Sequence, residues 1–503
     1  MSVLPTQNEG KTDLPLSSNP VFPLIQSCTA DFEDPFELYG RVTQYAPHSF
    51  FIEHDSHDGS TSRRFSYLGY DPYRVIRGKG SLVQTYKTGV WEEHESDPFS
   101  FLKRHLGDLS SGTRSSFLPF LGGAIGCFSY DLARTFEVLP DHAQDDLQFP
   151  DIYVLFVEAF VVVDHHASTL WLVYSPSPER LVNENFEDLQ EEGRSRLLNL
   201  KAKLQSVDHS VDREKPGPFS LHIREGQSAS DYRDRVRECQ QFISAGDIYQ
   251  ANLSHRFQVE GITDQFSSQA QAGATLYRQL RRMNPSPHSA FLVLESDVIV
   301  CNSPERLVRL SHDYADMRPI AGTRPRGGGM AEDRHLAEEL LSSNKERAEH
   351  LMLVDLVRND LGRVCRYGSI RVDELMTVER YSHVMHLVSH VLGRLRENCN
   401  AFDLIRAVFP GGTITGVPKI HCMELIERLE PVRRGMYTGS IGFIGWNGNV
   451  DLNIVIRTLL LSKNYGYLQV GAGIVADSDP TREYEETLHK AQAFFHVLDH
   501  WKN

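Results

Sequence analysis

The sequence predicts an α+β fold built on large antiparallel sheets, and three observations carry that prediction. Alternating apolar stretches of strand length recur between Phe50 and Tyr174 and again between Phe291 and Val475. Helical periodicity occupies separate blocks, chiefly Glu179–Gln205, Ala331–Gly362 and Thr481–Leu498. Strand groups and helix groups interleave irregularly, without the repeated strand–helix–strand order of a doubly wound fold.

In chain order, residues 1–20 are rich in Pro, Ser, Asn and Thr and read as a disordered N-terminus. An N-terminal region spans 21–205. Within it Phe50–Glu53 and Tyr67–Gly69 look strand-like, Asp71–Pro72 is a turn, and the small, apolar Gly122–Tyr130 suits a tightly packed strand. Ile152–Val163 and Thr169–Tyr174 read as two strands joined through Asp164–Ser168. Glu179–Gln205, charged with leucines at helical spacing, reads as a surface helix. Residues 206–219, with Pro-Gly-Pro, form the linker candidate. The C-terminal region, 220–503, starts with a helix capped by Ser230. Its apolar face is Tyr232, Val236, Cys239 and Ile243, and Gly246 ends it. Strands are expected at Phe291–Val300, His386–Leu392, Asn453–Leu461 and Tyr467–Val475. The two regions are expected to intertwine in one fold.

The bulk composition excludes several classes. The 503 residues are 40% hydrophobic and 24% charged, enough for a sizeable core. A net charge of −15 argues against a nucleic-acid partner. It leaves room for a small acidic substrate, which needs only a local basic pocket. No apolar run approaches the roughly 20 residues that cross a bilayer, and no secretory signal is visible. Seven cysteines without a CxxC pair fit free thiols in a reduced compartment and no zinc site. The expected location is cytoplasmic.

Four segments carry chemistry. Arg318–Gly327, Arg-Pro-Ile-Ala-Gly-Thr-Arg-Pro-Arg-Gly, offers a close backbone approach at Gly322, a hydroxyl at Thr323 and three cations, all suited to a carboxylate. Glu483 and Glu486 share a helix face at i, i+3, with Lys490 one turn beyond Glu486. Glu349 sits on a second helix beside Leu351, Met352 and Leu353. Carboxylates from two helices meeting at one point suit a hard cation such as Mg²⁺; alone, each is an ordinary ion-pair partner. Glu305, in Ser303-Pro304-Glu305-Arg306 after a strand, is either a shielded general acid or part of a structural turn.

Other segments imitate function. Gly411–Lys419 lacks the Walker order, because Val417-Pro418 separate the last glycine from Lys419. Gly471-Ala472-Gly473 lacks the rest of a dinucleotide fingerprint. Cys127 reads as a buried structural thiol, and His386 falls in an apolar strand.

Taken together the chain resembles the chorismate-utilising enzymes, the family of anthranilate synthase component I and aminodeoxychorismate synthase component I. The resemblance runs from about Gly246 to Ala493. Its motifs are Gly246–Gln250, Asn284–Pro287, Ser303–Glu305, Pro319–Gly327, Glu349–Gly362, His383–Ser389, Phe409–Lys419, Asn453–Thr458, Gly471–Ser478 and Glu483–Lys490, with looser matches at Arg64–Pro72 and Gly122–Asp131. It implies the anthranilate synthase component I-like fold, large antiparallel sheets packed as a sandwich with helices outside. Glu349 and Glu486 resemble Mg²⁺ ligands, with Glu483 close by, and the ion would grip the ring carboxylate of chorismate. Gly322, Thr323, Tyr437, Arg457, Gly471, Ala472, Gly473 and Lys490 resemble the substrate-binding positions. Glu305 resembles the acid that protonates the departing C4 hydroxyl, and His386 and Thr413 resemble residues near the ring.

Three positions bear on which member this is. Isochorismate and salicylate synthases carry a lysine base where Gln250 stands. A neutral Gln cannot activate water, so ammonia is the expected nucleophile. The chain shows no glutaminase domain, which implies a separate glutamine amidotransferase subunit. Ala321 stands where many aminodeoxychorismate synthases carry a nucleophilic lysine, and it favours anthranilate synthase. The third position points the other way. The stretches that match the tryptophan pocket of anthranilate synthases read Phe51-Ile52-Glu53-His54 and Pro287-His288-Ser289, with the family's Ser, Tyr and Met changed. The expected activity is amination of chorismate to 4-amino-4-deoxychorismate. Anthranilate synthase is the alternative, and a non-catalytic chorismate-binding paralogue is the third reading.

Overall fold

The computed structural model describes residues 22–502 except 31, 33, 56–62, 88, 108, 110–116, 207–219 and 382–383. The expected disordered N-terminus and all of the linker but Ser206 therefore lie outside the described residues. The α+β expectation holds. Two twelve-stranded sheets carry every named strand, and the named strand pairs are antiparallel. In the first, His288–Val293 pairs with Ser49–Asp55, so each side of the 206–219 segment contributes to one sheet. The second joins Gly123–Phe128 to Ser440–Gly445 in the same way.

The layers follow from strand periodicity. Alternate residues of the first sheet, Phe50, Ile52, Phe65 and Tyr67, meet Ile125, Tyr153, Leu155 and Ile441 of the second in a shared core. The outer face of the first sheet is covered by helices Gln269–Met283 and Pro480–Lys502, through Leu276, Phe494 and Leu498. The outer face of the second is covered by Asn344–Gly362 and Ala401–Val408, through Val354, Leu361 and Phe402. The result is helix, sheet, sheet, helix.

Several predicted elements are split. Ile152–Val163 is two strands, Ile152–Val157 and Ala159–Asp164, in different sheets. The chain crosses at Glu158, a buried carboxylate held by Arg180 at 2.7 Å. Phe291–Val300 is a hairpin of His288–Val293 and Asp297–Ser303. Asn453–Leu461 breaks after Asn453 and resumes at Thr458, again crossing between sheets. Glu179–Gln205 divides at Asn185, whose side chain caps the second helix, and Ala331–Gly362 divides at Ser343, which caps its second helix. Ser228, not Ser230, caps Ala229–Ala245, in a capping box with Asp231. Gly246 ends that helix at φ +83°, as its position predicts.

Candidate active site

Two crossings between the sheets build the first wall of the site. Glu305 lies on the crossing between Asp297–Ser303 and Arg306–Ser311. Ser303 Oγ accepts from the Glu305 N–H at 3.2 Å and donates to the Ile454 carbonyl at 2.6 Å. Ile454 N–H donates to the Glu305 carbonyl at 3.0 Å, and Asn302 N–H donates to the Arg457 carbonyl at 3.0 Å. These bonds stitch the two crossings together and fix both Glu305 and Arg457. Arg457 takes φ +50° where the chain turns between sheets, a conformation uncommon for a long side chain.

Glu305 is 8% exposed, and Thr413 Oγ1 donates to its Oε1 at 2.9 Å. Burial pushes the Glu305 carboxyl up to about 7, against the opposing pulls of the Thr413 bond, Arg457 and Lys490. A carboxyl that keeps its proton near neutrality is equipped to act as a general acid. Burial also lowers the Arg457 guanidinium, with Glu305 and Tyr381 only partly offsetting it.

The second wall comes from strand Ile320–Pro325 against Val384–Arg394, where the register shifts between Ala321 and Thr323. Gly322 takes φ +66° at the shift, and a Cβ there would lie 2.8 Å from Glu346 Oε2. Its carbonyl meets His386 Nδ1 at 3.2 Å, with Thr323 Oγ1 3.1 Å from the same nitrogen. A carbonyl only accepts, so Nδ1 carries the ring proton and Nε2 a lone pair. Burial lowers the His386 pKa to about 4; the Gly322 bond opposes and Arg457 assists. The imidazole is therefore neutral at physiological pH.

The third wall is strand Tyr465–Ile474 against Gln250–Glu260, with Gly473 opposite Asn252 and Gly471 opposite Ser254. A Cβ on Gly471 would lie 2.8 Å from both Asn252 Oδ1 and the Tyr437 hydroxyl; one on Gly473 would lie 2.7 Å from Gln250 Nε2. Glycine at both positions leaves room for these side chains. The Ala472 methyl points the other way, into the core with Leu253 and Ile474. Gln250 Oε1 and Asn252 Oδ1 are buried and have no hydrogen-bond partner among the described residues, which marks a place for a donor-bearing ligand. Asn252 is not among the residues that the sequence motifs single out. Its signal was there: it lies two residues from Gln250, on the same strand face.

The carboxylates lie beside this wall. Lys490 Nζ donates to the Gly471 carbonyl at 2.9 Å and pairs with Glu486 at 2.7 Å. Gln250 Nε2 reaches Glu349 Oε1 at 3.5 Å. Burial raises Glu349, and the charges of Glu346 and Glu486 raise it further. Burial also raises Glu483, a Ser478 bond opposes, and Glu486 adds to the rise. Like charges facing one another are what a divalent cation relieves, and carboxylates are the donors Mg²⁺ takes. The two helices do not close Glu349, Glu483 and Glu486 onto one point, however. Among the described residues, the His, Cys, Asp or Glu groups of three or more whose ligand atoms come within 4.8 Å of one another reduce to His54, His288 and Asp451.

The arginines of the Arg318–Gly327 loop are all paired with carboxylates of other elements. Arg318 pairs with Glu374 and Glu379, Arg324 with Glu339 and Glu346, and Arg326 with Asp333. Arg318 and Pro319 nonetheless line the cavity that Glu305 and Thr413 share, and the cations acting on Glu305 are Arg457 and Lys490. Lys419 is bound to Asp360 at 2.7 Å, away from any phosphate-loop role, and burial raises the Cys127 thiol far above its ordinary range.

Known proteins resemble this chain in sequence and fold. The sequence pattern of the family described as chorismate binding enzyme matches residues 48–496. The chain is 41% identical over 465 residues to "Aminodeoxychorismate synthase component 1" of Bacillus subtilis (strain 168), across 92% of this chain and 94% of that protein. It is 36% identical over 485 residues to "Anthranilate synthase component 1" of Acetivibrio thermocellus, across 95% of each. The crystal structure of anthranilate synthase component I from Streptococcus pneumoniae TIGR4 superposes with a TM-score of 0.74 at 33% identity, covering 88% of this chain and 94% of that one.

Proposed function

The chain belongs to the chorismate binding enzyme family, as a chorismate-utilising enzyme of aminodeoxychorismate synthase or anthranilate synthase type, and on that premise we propose that it aminates chorismate to 4-amino-4-deoxychorismate. The observation that carries the chemistry is Glu305, a buried acid whose pKa is pushed up to about 7 and whose backbone is fixed by two crossings. Hydroxide is a poor leaving group. Glu305 gives its proton to the C4 oxygen, the C4–O bond breaks, and water leaves. Ammonia supplies the new C4–N bond, and the proton it sheds restores Glu305.

The other walls bind and orient. Arg457 and Lys490 attract the substrate's carboxylates, and Tyr437 and the unsatisfied Gln250 and Asn252 oxygens hold polar groups of the ring and side arm. Neutral His386, with Nδ1–H tied to Gly322, presents an acceptor at Nε2. Mg²⁺, held by Glu349 and Glu486 with Glu483 close by, would supply positive charge to the ring carboxylate.

Gln250 has no basic form to activate water, which supports ammonia as nucleophile. We assign its supply to a separate glutamine amidotransferase subunit, and the relatives' designation as component 1 supports a partner. A cytoplasmic setting goes with this reading, since the seven cysteines are unpaired thiols. No helix among the described residues is long and apolar enough to cross a membrane.

One observation favours anthranilate synthase: Ala321, 7% exposed, offers no nucleophile for a covalent route to C4. Incubation of the full chain with Mg²⁺, chorismate and ammonium at alkaline pH separates the two. The expected product is 4-amino-4-deoxychorismate, which an added lyase converts to p-aminobenzoate. Blue-fluorescent anthranilate formed without a lyase would replace the proposal with the alternative.

A further inference from the structure

A second constellation lies between the sheets, away from Glu305. His54 comes from strand Ser49–Asp55, His288 opens strand His288–Val293, and Asp451 lies on Val450–Asn453 of the opposite sheet. The first two strands pair with Ala290 opposite Ile52, so period-two alternation puts both imidazoles on the face that meets the second sheet. The imidazole rings are 6.2 Å apart. One ligand atom from each of the three side chains falls within 4.8 Å of the others, and all three residues are buried.

His54 is 3% exposed, and neither of its ring nitrogens has a hydrogen-bond partner among the described residues. Its Nδ1 faces Asp451 Oδ1 at 3.2 Å, an ion pair when the ring is protonated. That leaves the buried Nε2 without a partner, which costs stability unless something binds it. Arg306 Nε donates to Asp451 Oδ1 at 3.2 Å, as the outer partner of a ligating carboxylate does. Tyr67 and Phe443 wall the cluster, and the cavity beside it is also lined by Arg309, Ser311 and Asn449.

We propose that His54, His288 and Asp451 form a metal site for a divalent transition ion of the zinc class, joining the two sheets and leaving its fourth position to water on the cavity side. Two imidazoles and one carboxylate are a zinc donor set, whereas Mg²⁺ takes oxygen donors. Arg306 and Arg309 are already balanced by Asp451 and Asp316, so the ion's added charge favours a readily ionised water as fourth ligand. The lack of a CxxC pair hid this site from the sequence, since its ligands meet only through sheet pairing and sheet packing.

The test uses the full chain, stripped with a chelator and titrated with Co²⁺ and then Zn²⁺. Expected are one Co²⁺ per chain with the visible absorption of a tetrahedral nitrogen–oxygen site, bleached by Zn²⁺, and a higher melting temperature with either ion. His54→Gln and His288→Asn should each weaken Co²⁺ binding by about a hundredfold or more. Glu349→Gln should leave it intact. Metal-free melting of each variant shows whether it folds, and His54→Phe fills the same space if Gln does not. No Co²⁺ band in the parent chain, or a band retained in folded variants at both histidines, overturns the proposal.

Discussion

Two of the clusters of buried charge among the described residues are balanced in opposite ways. Between the sheets, Arg306 meets Asp451 at 3.2 Å and Arg309 meets Asp316 at 2.8 Å. Burial alone would raise Asp451, but His54, Arg306 and His288 outweigh it and hold the carboxyl well below its ordinary range. At the crossings, Glu305 has one hydroxyl bond and two cations acting from a distance, and there burial wins. The same desolvation cost therefore gives a fixed ion in one place and a movable proton in the other. What separates structural from chemical carboxylates here is whether a cation is bonded to them.

The largest effects lie on the unbalanced side. Glu486→Gln removes one of the facing carboxylates, and Mg²⁺-dependent turnover should vanish while the melting temperature stays near that of the parent; unchanged turnover would remove Glu486 from the metal site. Glu305→Gln keeps shape and hydrogen bonding but cannot give a proton, so turnover should fall by about 10² to 10⁴.

On the balanced side, Arg306→Leu removes the guanidinium bonded to Asp451 and leaves it only the imidazoles of His54 and His288, and denaturant unfolding should show a loss of about 3–5 kcal/mol. A loss under about 1 kcal/mol would put this pair in the weak class of surface bridges.

Stability against pH sharpens the contrast. The folded Glu305 carboxyl, near 7, holds its proton across a range where the unfolded one, near 4.5, has lost it. Its contribution is fully present below about 4.5 and is lost as pH rises through about 7, a swing of roughly 3 kcal/mol. Glu305→Gln should thus be more stable than the parent at pH ~8 by up to that amount and equal to it at pH ~4. A difference that does not change with pH would mean that Glu305 titrates as an ordinary surface glutamate. The smallest effect concerns tryptophan. With His54 and His288 in the matching stretches, an indole loses contact worth on the order of 1–3 kcal/mol, so inhibition should be weak or nil. Micromolar inhibition in the chorismate assay would show that His54, His288 and Ser289 still make an indole pocket.

The sequence reading reached the fold class because its strong signals are local: strand alternation and the stop at Gly246. It could not see that Ile152–Val163 serves two sheets, because an unbroken apolar run looks alike whether one sheet or two bury it. Glu158 was the clue, a charge too costly to bury unless a partner as remote as Arg180 arrives. Motif resemblance singled out Glu305, Arg457 and the glycines, which strand crossings and sheet pairing hold in place. It could not weigh the loop arginines, since their neutralising glutamates and aspartate come from other elements. Nor could it place the carboxylates, because helix spacing fixes a face but not the gap between two helices.

The crossings have one more consequence. Asn302 bonds to Arg457 as an extension of the ladder within the first sheet, but Ser303 bonds to Ile454, just past a strand of the second sheet and some 150 positions away, and that bond does not form until both sheets are in place. A chain with native-like helices and one completed sheet would already give much of the far-ultraviolet signal of the finished protein, yet would have no enclosed acid. Regained turnover is therefore a stricter gauge of refolding than regained secondary structure. The enzyme's activity reports the last stage of its own assembly.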